Sequence, residues 1–348
     1  MMPRADTDSL MAFAREALGL APSASMVLSP LAGRGSDRSF FRAEWEAGGS
    51  AILIHYNPGR IENAYYAGID LFLHAIGVAV PALIRHDPGR CLMLMEDMGD
   101  ADLWSLRNTA WDARRTLYQE TLAVVHRLHT FPETDFPAHS VRLMQGFDPD
   151  LYRWERDYFK ANFVGALCGA VLEPALEREL ELELSGLAAR LQAGRRCLLH
   201  RDLQSQNVMI RNGEPFLIDF QGMRFGNPLY DLGSLLYDPY VTFSNDEREE
   251  LLSFYYALAD REHNRPDWPT FTTRFREAAA QRLMQALGAY GFLGLKKGLG
   301  SYLEHVPAGF RNLREAVSDA PSLSRLSEAL TVCEEAMVRR GGSGGRSL

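Results

Sequence analysis

His200-Arg201-Asp202-Leu203-Gln204-Ser205-Gln206-Asn207 runs into Val208-Met209-Ile210, and a few residues later comes Phe216-Leu217-Ile218-Asp219-Phe220-Gln221. The two apolar runs flank Asn212-Gly213, a pair suited to the positive φ values of a two-residue hairpin turn. A hairpin of residues 208–210 on 216–218 sets Asn207 and Asp219 side by side at its open end. The pattern H-R-D-x-x-x-x-N, followed by an apolar strand ending in Asp-Phe, carries what phosphoryl transfer requires. That reaction asks for little covalent help, only neutralised phosphate charge and a nucleophile held in line. Asp202 can accept the hydrogen bond of an acceptor hydroxyl, and the Asn207 amide oxygen and Asp219 carboxylate suit magnesium. Taken singly, each is an ordinary turn polar or helix cap. Their joint spacing, the turn between them and the apolar strand before Asp219 favour the catalytic reading.

Outward from this stretch, the periodicity changes along the chain. Residues 1–20 carry Leu10, Phe13, Ala14, Ala17 and Leu18 at helical spacing. Residues 31–38 are small and glycine-rich. Residues 39–45 and 51–56 read as strands around the Gly48-Gly49 turn. A helix is expected over 61–76. Two further strands, about 82–85 and 91–95, are joined by Asp87-Pro88-Gly89-Arg90. Beyond residue 100 the pattern is mainly helical: 112–130, 149–166, 171–193, 228–237, 246–263, 268–289 and 308–338, with a strand-rich interlude at 197–220. Asp148 and Pro149 read as the N-cap and first residue of the second of these helices. The expected fold is α+β and bilobal, protein-kinase-like, with a small antiparallel β-sheet lobe and a larger mainly helical lobe. The expected division is 1–98 for the nucleotide-binding lobe, 99–338 for the catalytic and acceptor-binding lobe, and 339–348 for a glycine-rich tail.

Composition narrows the function classes. The 348 residues carry a formal net charge of −8, against a general nucleic-acid binder. No basic run or long uncharged apolar run points to a membrane. Cys91, Cys168, Cys197 and Cys333 are scattered without metal-ligand spacing, so a reducing cytoplasm is the expected setting. Lysine occurs only at Lys160, Lys296 and Lys297, which leaves the small lobe with none.

The chain resembles the aminoglycoside phosphotransferase / choline kinase superfamily, and within it the bacterial anomeric kinases for N-acetylmuramate and N-acetylglucosamine. The resemblance covers roughly residues 25–330 and rests on motifs that include the quoted stretch. Its further members are Gly226-Asn227-Pro228-Leu229-Tyr230-Asp231-Leu232-Gly233-Ser234-Leu235-Leu236, Met95-Glu96-Asp97-Met98-Gly99-Asp100 and Gly35-Ser36-Asp37-Arg38-Ser39-Phe40-Phe41-Arg42. It implies ATP and Mg2+ as cofactors and a small-molecule sugar as acceptor. Asp202, with Gln204 beside it, would be catalytic, and Asn207 and Asp219 would hold the metal. The backbone near Glu96 and Met98 would receive adenine, and the loop with Gly35 and Ser36 would cover the phosphates. His200 and Asp231 would support the catalytic loop from behind. On the acceptor side stand Glu155, Tyr158, Tyr237 and Asp238, with Arg153 or Arg224 available to a lactyl carboxylate.

One departure concerns charge. Where many kinases place a phosphate-binding lysine, this chain has Ile52-Leu53-Ile54-His55-Tyr56. Arg38 and Arg42, able to grip phosphate bidentately, are the expected substitutes, with His55 behind them. Two other functions fit the same motifs: an aminoglycoside or amino-alcohol phosphotransferase, and a kinase-shaped nucleotide-binding module without turnover. The missing lysine speaks for the latter. The joint presence of Asp202, Asn207 and Asp219 speaks against it.

Overall fold

The computed structural model describes residues 6–31, 38–46, 48–259, 265–318 and 320–343. Gly35 and Ser36 lie outside the described residues. The chain divides into two units, Met1–Leu106 with Thr116–Met144 and Gln206–Met223, and Arg107–Arg115 with Gln145–Ser205 and Arg224–Leu348. Within the first unit, backbone hydrogen bonds join the 206–223 segment to earlier chain. Leu217 N donates to the Ala79 carbonyl (2.9 Å), Leu103 N to Val208 (3.0 Å) and Ile210 N to Ala101 (2.8 Å).

The first unit opens with α1 (Thr7–Ala17) and an antiparallel sheet of β1 (Met26–Leu31), β2 (Ser39–Trp45), β3 (Gly49–His55), β4 (Leu83–Asp87) and β5 (Leu92–Glu96), in the order β1-β2-β3-β5-β4. The strand β1 escapes the sequence reading. It carries Pro30, whose missing N–H is tolerated because β1 is an edge strand. Alternation gives the sheet two buried faces. Ala51, Leu53, Leu92 and Leu94 pack with Leu10, Phe13 and Ala14 of α1. The intervening Ile54, Met93 and Met95 are buried as well. Helix α2 (Ile61–Ala75) buries Tyr66, Ile69, Phe72 and Leu73. The hairpin of β7 (Val208–Arg211) and β8 (Glu214–Leu217) turns at Asn212-Gly213. Their φ values are 55° and 82°, both positive as the turn requires.

The second unit is helical around two short strands, β6 (Cys197–Leu199) and β9 (Arg224–Gly226), paired antiparallel. Helix α3 (Trp111–Thr130) begins in this unit and continues in the first. The remaining helices are α4 (Pro149–Phe159), α5 (Pro174–Ala193), α6 (Leu229–Leu236), α7 (Asn245–Leu258), α8 (Trp268–Gly291), α9 (Val306–Ser318) and α10 (Ser324–Ser343). Asp148 caps α4 by accepting from Leu151 N at 2.8 Å, with Pro149 in the first turn, the arrangement that satisfies an otherwise orphaned N–H. The helix then widens into a π-helical segment, Lys160–Cys168, ended by Gly169 at φ 66°. The single stretch expected over 308–338 is two helices, separated by a short turn at Pro321–Leu323. Helical backbone continues through Ser343, with the Arg340 guanidinium donating to the Leu167 carbonyl, so residues 339–343 are helical.

The centre of the unit is α8, buried from Ala278 to Gly288. Gly233 lets α6 lie against it, since a Cβ there would sit 2.7 Å from Ala279 Cα. Only a residue without that atom permits such an approach. It brings Ser234 of α6 to Arg282 of α8 (3.1 Å). No helix of the described residues is long and apolar enough to cross a membrane.

Candidate active site

The second unit holds Asp202 on the loop leaving β6. Arg201 takes a left-handed backbone at φ 76°, a strained conformation for a residue with a side chain. Two buried carboxylates brace the loop. Asp231, in the first turn of α6, accepts His200 N at 2.7 Å and Arg201 N at 2.8 Å. Asp238, just past α6, accepts Ser205 N at 2.7 Å and Ser205 Oγ at 2.6 Å. Both are fully buried. Burial pushes the Asp238 carboxyl up to about 6 despite the Ser205 and Tyr240 hydrogen bonds that oppose the shift, because the charged form loses its water. Between the braces, Gln204 N donates to the Asp202 carbonyl at 2.9 Å, tightening the turn.

The Asp202 side chain remains 29% exposed and is gripped at both oxygens. Arg201 reaches Oδ2 at 2.8 Å, and Arg282 approaches Oδ1 at 3.5 Å. Burial works to raise the carboxyl's pKa. The basic groups Arg201 and Arg282, with His200 and Arg224 behind them, outweigh it and hold the carboxyl down at about 2, nearby opposite charge favouring the ionised form. Arg224, itself enclosed, falls to about 10 through burial and the neighbouring Arg201 charge. Four basic groups therefore act on this one carboxylate.

Several expected acceptor residues turn out to be internal. Glu155 is fully buried, accepts the Tyr230 hydroxyl (3.0 Å) and Gln281 Nε2 (2.9 Å), and has its pKa raised by burial. It braces α4 against α6 and α8 and offers nothing to an acceptor. Tyr237 is buried with the Arg248 guanidinium 4.1 Å above its ring, and Asp238 is spent on Ser205. Their helical spacing cannot separate a pocket wall from a core. Tyr158 does remain half-open, stacked on the exposed Trp154 with centroids 4.9 Å apart. Arg153 is 61% exposed and paired to Asp150.

The first unit holds Asn207 and Asp219. The β7–β8 ladder continues one step past its strands, with Ile218 N donating to the Asn207 carbonyl at 3.0 Å, so Asp219 follows directly at the hairpin mouth. Asp219 has φ 65° and a side chain 33% exposed. The Arg38 guanidinium pairs with its carboxylate and donates to Gln221 Oε1 at 3.1 Å, while Gln221 Nε2 donates to Asp219 Oδ1 at 3.1 Å. An amide oxygen and a carboxylate are the hard donors magnesium takes, and the carboxylate already carries a cationic partner. Among the described residues no group of three or more His, Cys, Asp or Glu side chains could hold a metal.

Arg42 sits elsewhere. Its guanidinium is held by Asp97 (2.7 Å) and Asp100 (2.8 Å), which raise its pKa, so it pins the segment after β5. Glu96 pairs with Arg211 of the hairpin, and Met98 Sδ lies 3.9 Å from the same guanidinium. Sequence reasoning misses Gln221 and Arg282. Gln221 has no signal beyond its place after Asp-Phe. Arg282 has one, a charge amid the apolar run Ala278 to Leu287.

The chain is 26% identical over 322 residues to an N-acetylmuramate/N-acetylglucosamine kinase of Pseudomonas putida, covering 91% of each chain. It is 24% identical over 301 residues to a methylthioribose kinase of Pectobacterium atrosepticum, covering 77% of this chain and 74% of that one. Among solved structures, a choline/ethanolamine kinase family protein from Mesorhizobium loti superposes with a TM-score of 0.60 at 18% identity, over 94% of this chain and 99% of that one, which shows the fold. A family model described as the phosphotransferase enzyme family matches residues 27–288. With three quarters of its length inside that match, the chain belongs to the phosphotransferase enzyme family and is an ATP-dependent kinase.

Proposed function

We propose that the chain transfers the γ-phosphoryl group of ATP to the anomeric hydroxyl of N-acetylmuramate or N-acetylglucosamine. What carries this reading is the likeness over 91% of the chain to an N-acetylmuramate/N-acetylglucosamine kinase, set beside a partly exposed Asp202 carboxylate held by Arg201 at 2.8 Å and Arg282 at 3.5 Å. A carboxylate so held orients a hydroxyl, and an acceptor more acidic than an ordinary alcohol gives up its proton to it most readily. An anomeric hydroxyl is that kind of group. The acceptor oxygen forms its bond to the γ-phosphorus as the β–γ bridging bond breaks and ADP leaves. Asp202 receives the hydroxyl's hydrogen bond and then its proton.

The same charges argue about the acceptor's class. Polycationic aminoglycosides would meet Arg201, Arg282 and Arg224 around the base, and like charges brought together are strongly unfavourable. Neutral N-acetylglucosamine avoids that repulsion, and the carboxylate of N-acetylmuramate turns it into attraction. Arg224, whose charge acts on Asp202, would take this role, Arg153 being 61% exposed and paired to Asp150. Asn207 and Asp219 would hold magnesium, which neutralises phosphate charge when bound. Arg38 would supply the further cation that the lysine-free small lobe lacks. Tyr158 and Trp154 would offer a sugar face a stacking surface.

The test is a panel of N-acetylmuramate, N-acetylglucosamine, kanamycin and choline with MgATP, the product read by phosphorus NMR. The expected result is an anomeric phosphate on the two sugars and none on the cations. Phosphate on kanamycin or choline alone would overturn the reading.

A further inference from the structure

Arg282 lies in the middle of α8 with its side chain 5% exposed, far from the loop motifs in sequence. Its guanidinium is held on two sides: Nε donates to Ser234 Oγ at 3.1 Å, and one terminal nitrogen donates to Gln285 Oε1 at 2.6 Å. The remaining nitrogen is turned to Asp202 Oδ1 at 3.5 Å. Arg201 takes the other carboxylate oxygen from within the loop. Each oxygen of Asp202 thus has its own guanidinium, one on the strained loop and one on the rigid central helix.

A charge this deep in a helix packed on all sides is costly unless it has work to do. For stability alone, an apolar residue would pack against α6 at least as well. The partners also match a fixed aim: Ser234 and Gln285 engage two corners of the planar fork and leave the third pointing at Asp202. The other groups acting on Arg282 are the Tyr230 and Tyr290 hydroxyls and the Arg201 charge.

We propose that Arg282 is a positioning residue for the phosphoryl transfer, fixing the plane of the Asp202 carboxylate from α8 so that it faces the acceptor hydroxyl. The inference rests on Asp202 being the group that receives that hydroxyl. It adds a device that the loop motifs do not contain. Arg201 grips one oxygen from within the loop, and the helix-borne guanidinium adds a hold on the other from outside it.

The experiment compares the wild type with Arg282→Ala and Arg282→Lys, with and without methylguanidine, under saturating ATP and sugar. Arg282→Ala should lose about 10- to 100-fold in kcat, the scale of a misplaced catalytic group, with KM for ATP held within about twofold. Methylguanidine, seated between Ser234 and Gln285, should restore part of kcat in a saturable way. Arg282→Lys, which keeps the charge but not the fork, should fall between. Wild-type kcat in Arg282→Ala, or a loss that methylguanidine leaves untouched, overturns the proposal. Should Arg282→Ala fail to fold, Arg282→Lys decides: unchanged kcat overturns the proposal, and reduced kcat at constant KM for ATP supports it. A wild type silent on every acceptor would remove the kinase reading and this inference with it. An active wild type with unaffected variants removes this inference alone.

Discussion

The Asp231 carboxylate holds Arg201 in its left-handed conformation, accepting the N–H of Arg201 at 2.8 Å with one oxygen and that of His200 at 2.7 Å with the other. The positive φ of Arg201 carries strain on the order of 1–3 kcal/mol. The paired hydrogen bonds to Asp231 offset it. The partial positive charge at the start of α6 favours a carboxylate at this place.

Asp231→Asn tests this brace. The amide presents an N–H₂ where the loop needs an acceptor, leaving one backbone donor unsatisfied in a fully buried place. The expected cost is about 2 kcal/mol of stability. A loss of about 10- to 100-fold in kcat should accompany it as Asp202 drifts from its place. Thermal melting and steady-state kinetics read the two effects. An Asp231→Asn enzyme with wild-type kcat would show that the loop holds itself.

Arg38 and Arg42 should separate. Arg38→Ala removes the cation beside Asp219 and should raise KM for ATP about tenfold, the equivalent of one charge-assisted contact of about 1.5 kcal/mol. Arg42→Ala takes the cationic partner from Asp97, whose side chain is 4% exposed and keeps the Gly99 N–H. It should lower the melting temperature through a loss of about 2 kcal/mol, with little change in KM. Equal effects of both on KM for ATP would return Arg42 to the phosphate site.

Much of this is legible in the sequence, for identifiable reasons. Asn212-Gly213 announces its turn because so few residue pairs accept two positive φ values. Asn207 and Asp219 then follow from the hairpin's length. The helices carry their own caps, as at Asp148-Pro149. What stays hidden depends on tertiary burial. Glu155 and Asp238 look like pocket carboxylates at the sequence level, and only the packing of α4, α6 and α8 shows them enclosed. Arg42 looks like a phosphate ligand until Asp97 and Asp100 are seen holding it. The edge strand β1 is masked by Pro30. Arg282 stands out as a charge in an apolar run, but its partner does not, because it meets Asp202 through a contact 80 residues apart in the chain.

The proposed metal ligands, Asn207 and Asp219, have their own signature. Asp219→Ala should abolish Mn2+ retention by the protein–ATP complex, read as free Mn2+ by electron paramagnetic resonance. Asn207→Ala, which loses a neutral oxygen, should weaken it less. Undiminished Mn2+ retention in Asp219→Ala would place the metal elsewhere.

The most direct test is Asp202→Ala beside the wild type, at matched nucleotide occupancy, with sugar phosphate followed by phosphorus NMR. A positioned base contributes about 10²–10⁴-fold, so product formation should fall by at least about 100-fold while ATP binding is kept. Near-normal formation of the sugar phosphate by Asp202→Ala would contradict the assignment of Asp202 as the acceptor's base.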